Sequence, residues 1–242
     1  MTPYYQRAGV TLYHADCRDV LPGLPLVDLL VTDPPYGVSI TTTGMRRKQL
    51  AMSSIANDEQ ADLDAVRGLV EMAWARISPF RHAYVFGPFP LGEMPGACGA
   101  CEIVWDKINT TMGDLAHPWA KQHEPIRFAM KASSAVAAGE RGGLLARTRR
   151  GTVLRHLRPN GSGARNHPTE KPVPLLRELI EMSSRHGETV LDPFAGSGST
   201  LVAAIIEGRQ AVGIELDEPW CEVAAKRLDA LTAQGVLFGG AA

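Results

Sequence analysis

Apolar positions along the chain fall into two kinds of pattern. Seven short runs are dense in apolar residues and too brief to be helices: 10–14 (VTLYH), 27–32 (VDLLVT), 82–87 (HAYVFG), 102–107 (EIVWDK), 125–131 (PIRFAMK), 189–192 (TVLD) and 211–215 (AVGIE). Runs of this length and composition read as strands. Between several of them the apolar positions recur with a helical period. Over 59–77, Leu63, Val66, Leu69, Val70, Ala73 and Ile77 share one face, with Asp58 placed to cap the first turn. Residues 172–182, 199–207 and 217–231 repeat the pattern, the second ending at Gly208 and the third turning Trp220, Val223, Ala224, Leu228 and Leu231 inward. Strands that alternate with helices and are apolar nearly throughout predict an α/β domain around a mostly parallel sheet. At 242 residues the chain is sized for one such domain, 1–242.

Two stretches follow neither period. Residues 37–57 are polar, small and basic, and residues 132–166 are rich in Ala, Gly and Arg. Long irregular segments in a compact domain are usually functional or disordered, so both are expected at the ligand edge of the sheet. Charge sharpens this reading. The net charge is only −1, yet Arg127 to Lys171 holds ten basic residues against Glu140 and Glu170. That local excess points to a polyanionic partner. No apolar run approaches the roughly 18 residues of a membrane span, so no membrane partner is expected. The stretch MTPYYQRAGV lacks the features of a secretion signal, and four cysteines suit a reducing compartment, so the cytoplasm is expected.

Candidate chemistry sits where strands stop. The run 27–32 drives into Asp33-Pro34-Pro35-Tyr36, where two prolines cannot continue a strand and an acid and a ring flank them. The run 189–192 ends in Asp192 and a glycine-rich turn, Pro193-Phe194-Ala195-Gly196-Ser197-Gly198, with a helix expected from about Ser199 and Thr200. Leu201 stands where a dinucleotide fingerprint needs its third glycine, and the Lys-Ser/Thr of a phosphate loop is missing. Glu215, seventeen residues after Gly198, is placed at the tip of the next strand to accept ribose hydroxyls. A ribose without a pyrophosphate suggests S-adenosylmethionine. Cys98 and Cys101 form a lone CxxC with no second pair nearby; they are expected to be small core thiols at a loop, and no metal is expected.

These blocks together resemble the DNA amino-methyltransferases, in the order of their β group, with TDPPYG (32–37) ahead of DPFAGSGST (192–200). The likeness extends through LYHADCRDVL (12–21), HEPIRFAMK (123–131), HPTEKPVPLL (167–176) and the block 190–228. It implies a seven-stranded, mostly parallel methyltransferase sheet in circularly permuted form. Strands one and two would be 189–192 and 211–215, strands three to five 10–14, 27–32 and 82–87, and 102–107 with 125–131 an antiparallel end pair. The resemblance also implies methyl transfer from S-adenosylmethionine to an exocyclic amino group of DNA, with adenine N6 favoured over cytosine N4 because of Asp33. Protein-glutamine and RNA methyltransferases use a related turn but usually carry Asn there and place the cofactor block first. A DNA-binding module without activity is ranked last.

By the same resemblance, Asp33 and the Pro34 carbonyl would take the hydrogen bonds of the target amino group, and Tyr36 would stack on an extruded base. Asp16, with Cys17 beside it, would hold the donor's adenine, Glu215 and Leu216 its ribose side, and Asp192 to Thr200 its methionine part. Lys171 would pair with the methionine carboxylate, with Thr169 close by. Loop 37–57, carrying Arg46, Arg47 and Lys48, would cover the target base, and 132–166 would be a small recognition insertion. Arg147, Arg149, Arg150, Arg155, Arg158 and Arg165 would contact DNA phosphates. So short an insertion implies a short target sequence or help from a second copy of the chain. The sequence names no partner nuclease.

Overall fold

The computed structural model describes residues 1–35, 63–109, 119–120, 122–132, 150–158 and 170–233. Among these, nine strands form one sheet: β1 (Tyr5–Arg7), β2 (Val10–His14), β3 (Val27–Thr32), β4 (Ile77–Phe86), β5 (Ala97–Asp106), β6 (His123–Lys131), β7 (Val153–Arg155), β8 (Thr189–Asp192) and β9 (Gln210–Glu215). Their order across the sheet is β1-β2-β9-β8-β3-β4-β6-β5-β7. The pairs from β2 through β9, β8 and β3 to β4 are parallel, and β6 runs antiparallel to both neighbours. All seven expected strands are present in the expected places, including the permuted position of β8 and β9.

The structure extends that reading in three ways. β1 and β7, three residues each, are too short to show a period, yet they cap the two edges of the sheet. β7 also falls inside 132–166, so part of that stretch is sheet and not irregular chain. Third, the helix expected over 59–77 ends earlier, because Ile77 begins β4 and pairs with Val27. The cap expected from Asp58 lies outside the described residues.

Among the described residues are five α-helices: α1 (Cys17–Val20), α2 (Leu63–Ala75), α3 (Val173–Ser183), α4 (Ser199–Ile206) and α5 (Glu218–Ala233). Strand alternation sorts them into two layers. Leu12, Leu29, Val31, Phe86, Ile126 and Val190 face α3, α4 and α5. Leu30, Ala83, Val85, Ala129, Leu191 and Ile214 face α1, α2 and the turn that carries Phe89 and Leu91. Helices cover both faces, as an apolar parallel sheet requires.

The glycine-rich turn is fitted to this packing. Gly198 caps α4 at φ +77°, a left-handed conformation that disfavours a side chain. A Cβ there would also stand 2.8 Å from Ala224 Cβ on α5. Gly198→Ala is therefore expected to cost at least about 2 kcal/mol, read as a lowered denaturation midpoint with unchanged m-value.

Candidate active site

The same alternation carries several acids to one place. Asp33 continues the series of Leu29 and Val31 past the end of β3, and Glu124 precedes Ile126 in the series of β6. Both therefore lie on the α3–α5 face, beside Phe86. Asp33 and Asp192 leave the carboxyl ends of the adjacent strands β3 and β8, where the strand order reverses. Open α/β sheets bind their ligands at such a point.

Asp33 is held from one side only. Its Oδ2 accepts a hydrogen bond from Lys171 Nζ at 2.6 Å. Its Oδ1 is buried and has no hydrogen-bond partner among the described residues. Lys171 is buried too, reaches Glu124 Oε1 at 2.9 Å, and lies 5.0 Å from the centre of the Phe86 ring. Glu124 Oε2 in turn is 3.0 Å from Lys107 Nζ. Lys107, Glu124, Lys171 and Asp33 thus form a chain of alternating charge that runs inward from the end of β5 to the end of β3.

Burial is the first influence on the titration of Asp33 and Lys171. It pushes the Asp33 carboxyl up to about 6; Lys171 opposes that shift, and Glu124 and Asp192 add to it. Burial works against the Lys171 charge, but the carboxylates of Asp33 and Glu124 outweigh it and hold its pKa above the usual lysine value. At neutral pH the pair is an ammonium on a carboxylate.

One hydrogen bond ties the two sequence blocks together. Thr32 Oγ1 donates to Asp192 Oδ1 at 2.7 Å, across 160 residues of sequence. Asp192 also accepts from the Phe194 amide at 3.1 Å and from Thr200. Its carboxyl is buried, which pushes it up to about 6 against those hydrogen bonds.

The turn from Pro193 to Gly198 is braced from two directions. Gly196, at φ +50°, donates its amide to Glu215 Oε2 at 2.7 Å, and the Asp217 amide donates to Glu215 Oε1 at 2.9 Å. Burial raises the Glu215 pKa, against these amides. On the other side Arg227 of α5 donates to the Ser197 carbonyl at 2.7 Å and to Ser199 Oγ at 3.1 Å. Its other terminal nitrogen lies 2.8 Å from Glu170 Oε1. Next to Glu215, the backbone carbonyl of the exposed Leu216 meets the His14 ring at 3.1 Å, which joins the tips of β9 and β2.

The expected residues are thus distributed as follows. Asp33, Pro34, Pro35, Lys171, Asp192 to Thr200 and Glu215 converge at the tips of β3, β8 and β9. Asp16 stands at the end of β2, where it caps α1 and is bidentate with Arg18; that hydrogen bond lowers its pKa. Cys17 is buried behind it, its thiol pushed up to about 11 by burial. Lys171, expected to meet a cofactor carboxylate, has two carboxylate partners of the chain itself. Tyr36, Arg46, Arg47, Lys48, Arg147, Arg149, Arg165 and Thr169 lie outside the described residues.

The basic segment is less open than its composition suggests. Arg150 pairs with Glu178 and Glu181 of α3, Arg155 with Asp106, and Arg127 with Glu102. Lys131 donates to the carbonyls of Trp74, Ala75 and Ile77, where α2 passes into β4. Of the arginines expected on DNA, Arg158 is half-buried. Cys98 and Cys101 are not core thiols in a loop. They flank a bulge in β5, where Cys101 is exposed, because the extra residues turn that strand's outer half to solvent.

Residues 100–226 match the DNA methylase family, more than half of the chain. The chain belongs to that family. The DNA methylases of this family act on N6 or N4 amino groups and draw the methyl group from S-adenosylmethionine. The chain is 25% identical to the type II methyltransferase M2.DpnII of Streptococcus pneumoniae over 256 residues, covering 94% of this chain and 92% of that protein. It is 48% identical to the DNA adenine methyltransferase YhdJ of Escherichia coli K12 over 64 residues, only 22% of that protein and 26% of this chain. The crystal structure of the M1.HpyAVI–SAM complex shares the fold, with a TM-score of 0.69 at 20% identity over 91% of this chain and 99% of that one. So does the cytosine-N4-specific PvuII DNA methyltransferase, with a TM-score of 0.65 at 17% identity over 93% and 88%.

Glu124, Lys107, Arg227 and Glu170 were not anticipated as site residues. Glu124 and Glu170 stand inside the HEPIRFAMK and HPTEKP blocks, and an acid at the start of a strand that carries Ile126 and Ala129 into the core is the available signal for Glu124. For Arg227, one basic residue among several on a helix, there was none.

The Asp192 geometry yields a stability test. A carboxyl with a raised native pKa contributes stability that is complete below its ordinary value near 4 and is lost as pH rises through about 6. Asp192→Asn keeps an oxygen to accept from Thr32 and Phe194 and carries no charge. The variant's stability relative to the unaltered chain should therefore rise between pH 4 and 6.5 by on the order of 1–3 kcal/mol, measured by denaturant unfolding across that range.

Proposed function

We propose that this DNA methylase transfers a methyl group to N6 of adenine, with Asp33 as the acceptor for the target amino group. The observation that carries this reading is Asp33 Oδ1: a buried carboxylate oxygen without a partner, beside the glycine-rich turn and at the strand junction. The Asp in that position and the likeness to an adenine methyltransferase favour adenine over cytosine N4.

The residues present fit S-adenosylmethionine. The turn at Gly196 offers backbone in a left-handed conformation, and Glu215 at the next strand tip spends one lone pair of each oxygen on an amide, leaving others for ribose hydroxyls. We infer that Asp16 serves the adenine, Glu215 and Leu216 the ribose side, and Asp192 to Thr200 with Thr169 and Lys171 the methionine part. When bound, S-adenosylmethionine supplies an electrophilic methyl group on a sulfonium.

The chain's own part is to make the amino nitrogen a nucleophile. That nitrogen's lone pair is delocalised into the base until the nitrogen becomes tetrahedral. Asp33 Oδ1 accepts one amino N–H and the Pro34 carbonyl the other, which favours that geometry as positive charge develops. A carboxyl pushed up to about 6 is suited to receive the departing proton near neutral pH. Tyr36 provides the ring on which the extruded base stacks.

DNA is the substrate of this family, and the basic residues of 37–57 and 132–166 are proposed to grip its phosphates. Because Arg150 and Arg155 are already paired with acids, the chief contacts fall to Arg46, Arg47, Lys48, Arg147, Arg149, Arg158 and Arg165. The short insertion is best served by a homodimer in which a second copy completes the grip. No helix among the described residues is long and apolar enough to cross a membrane. A DNA substrate and four unpaired thiols support a cytoplasmic setting.

Two measurements test the reading. Nucleoside mass spectrometry of DNA incubated with the protein and S-adenosylmethionine should show N6-methyladenine; N4-methylcytosine in its place would move the target, and neither base would sink the assignment. Asp33→Ala should lower turnover by about 10²–10³-fold, as for a lost transition-state hydrogen-bond partner, with donor affinity largely kept.

A further inference from the structure

Resting on that reading, we propose that Lys171 and Glu124 are positioning residues for Asp33. Lys171 claims one oxygen of the Asp33 carboxylate, and Glu124, steadied by Lys107, holds the Lys171 ammonium in that orientation, so the other oxygen faces the amino group.

The geometry gives each member one job. A free carboxylate rotates about its Cβ–Cγ bond and offers either oxygen to any donor. The 2.6 Å bond from Lys171 Nζ to Oδ2 removes that freedom and leaves Oδ1, buried and without a partner, as the acceptor. An ammonium has three donors and could swing away. Glu124 Oε1 at 2.9 Å takes a second donor, and the Phe86 ring lies 5.0 Å from the nitrogen. Glu124 would itself be free to turn, but Lys107 at 3.0 Å engages its other oxygen. Lys107, Glu124 and Lys171 have side chains 14, 12 and 9% exposed, so water does not compete strongly for these contacts. The chain of charges carries no excess. Lys107 and Lys171 balance Glu124 and Asp33, which is what allows four ionic groups to sit so deep.

Among the described residues, the charged groups that face Asp33 are Lys171 from the segment ahead of α3, Glu124 from β6 and Asp192 from β8; β4 contributes Phe86, which does not titrate. Removing the charge of Lys171 or of Glu124 must therefore move the Asp33 titration in opposite directions. A merely structural role would move neither.

The experiment uses the full chain, duplex DNA and tritiated S-adenosylmethionine, with kcat and KM measured across about pH 5 to 9. Thermal unfolding checks each variant's fold, and calorimetry its donor affinity. Glu124→Gln, close to isosteric, should shift the acid limb of the kcat profile to lower pH by about half a unit or more. Lys171→Met should shift it to higher pH and lower kcat by about 10-fold or more, and Lys171→Arg should recover part of both. If Lys171 serves only the donor's carboxylate, Lys171→Met raises KM for S-adenosylmethionine and leaves kcat and the acid limb alone, which overturns the proposal. An unmoved acid limb in Glu124→Gln overturns it equally, and that arm decides alone should Lys171→Met fail to fold. Failure of the unaltered chain to methylate DNA at all is a different result, and counts against the proposed function.

Discussion

The parallel pairing of β3 with β8 is the contact on which the rest of the molecule depends. Two strands separated by about 160 residues lie side by side at the centre of the sheet, buried on both faces. Leu29 and Leu30 lie opposite Val190 and Leu191, a register that ends both strands at the same edge. Were the register to slip by one residue, the pleat would send Asp33 or Asp192 to the wrong face. The Thr32 hydroxyl on Asp192 locks it from above. Everything chemical in the molecule is then a matter of what other elements bring to that edge.

What they bring is largely charge, and the fold handles it by pairing. Burying a lone carboxylate is costly, and the usual remedy is a neutral proton or a cation close by. At the site the remedy is Lys171, shared between two acids. At the glycine-rich turn it is Arg227, shared between Glu170 and two serines. Each of these cations reaches across from an element distant in sequence, so the same interactions that offset the burial of charge also staple β6, α3 and α5 to the rim of the sheet. Elsewhere the basic segment is partly neutralised by Glu102, Asp106, Glu178 and Glu181.

Much of this was legible in the residues because parallel strands are apolar on both faces, and a motif at the end of such a strand has only one place to go. The seven strands and the place of each motif at a strand end follow from that, and the resemblance to the amino-methyltransferases supplied their permuted order. What escaped was decided by contacts remote in sequence. Three residues of β1 or β7 carry no readable period, and they become strands only because a neighbour offers its edge. Ile77 fits a helical face as well as it fits a strand, and its pairing with Val27 settles the matter. The Cys98–Cys101 spacing is a β-bulge, visible only once Met130 and Phe128 stand opposite. Arg150 reads as a free cation until α3 places two glutamates beside it. The role of Lys171 escaped for a similar reason: its partners come from β3 and β6, each far away along the chain.

The permuted order has a consequence for how the molecule comes into being. β8, a central strand of the sheet, is synthesised after β1 to β7, since it begins at Thr189. Until β8 and β9 emerge, β2 has no parallel neighbour and β3 has an open edge. Assembly must therefore wait for a nonlocal insertion between two strands already made, the kind of topology whose high contact order slows folding. Strands β1 to β7 are made first, and β8 and β9 then close them into one sheet.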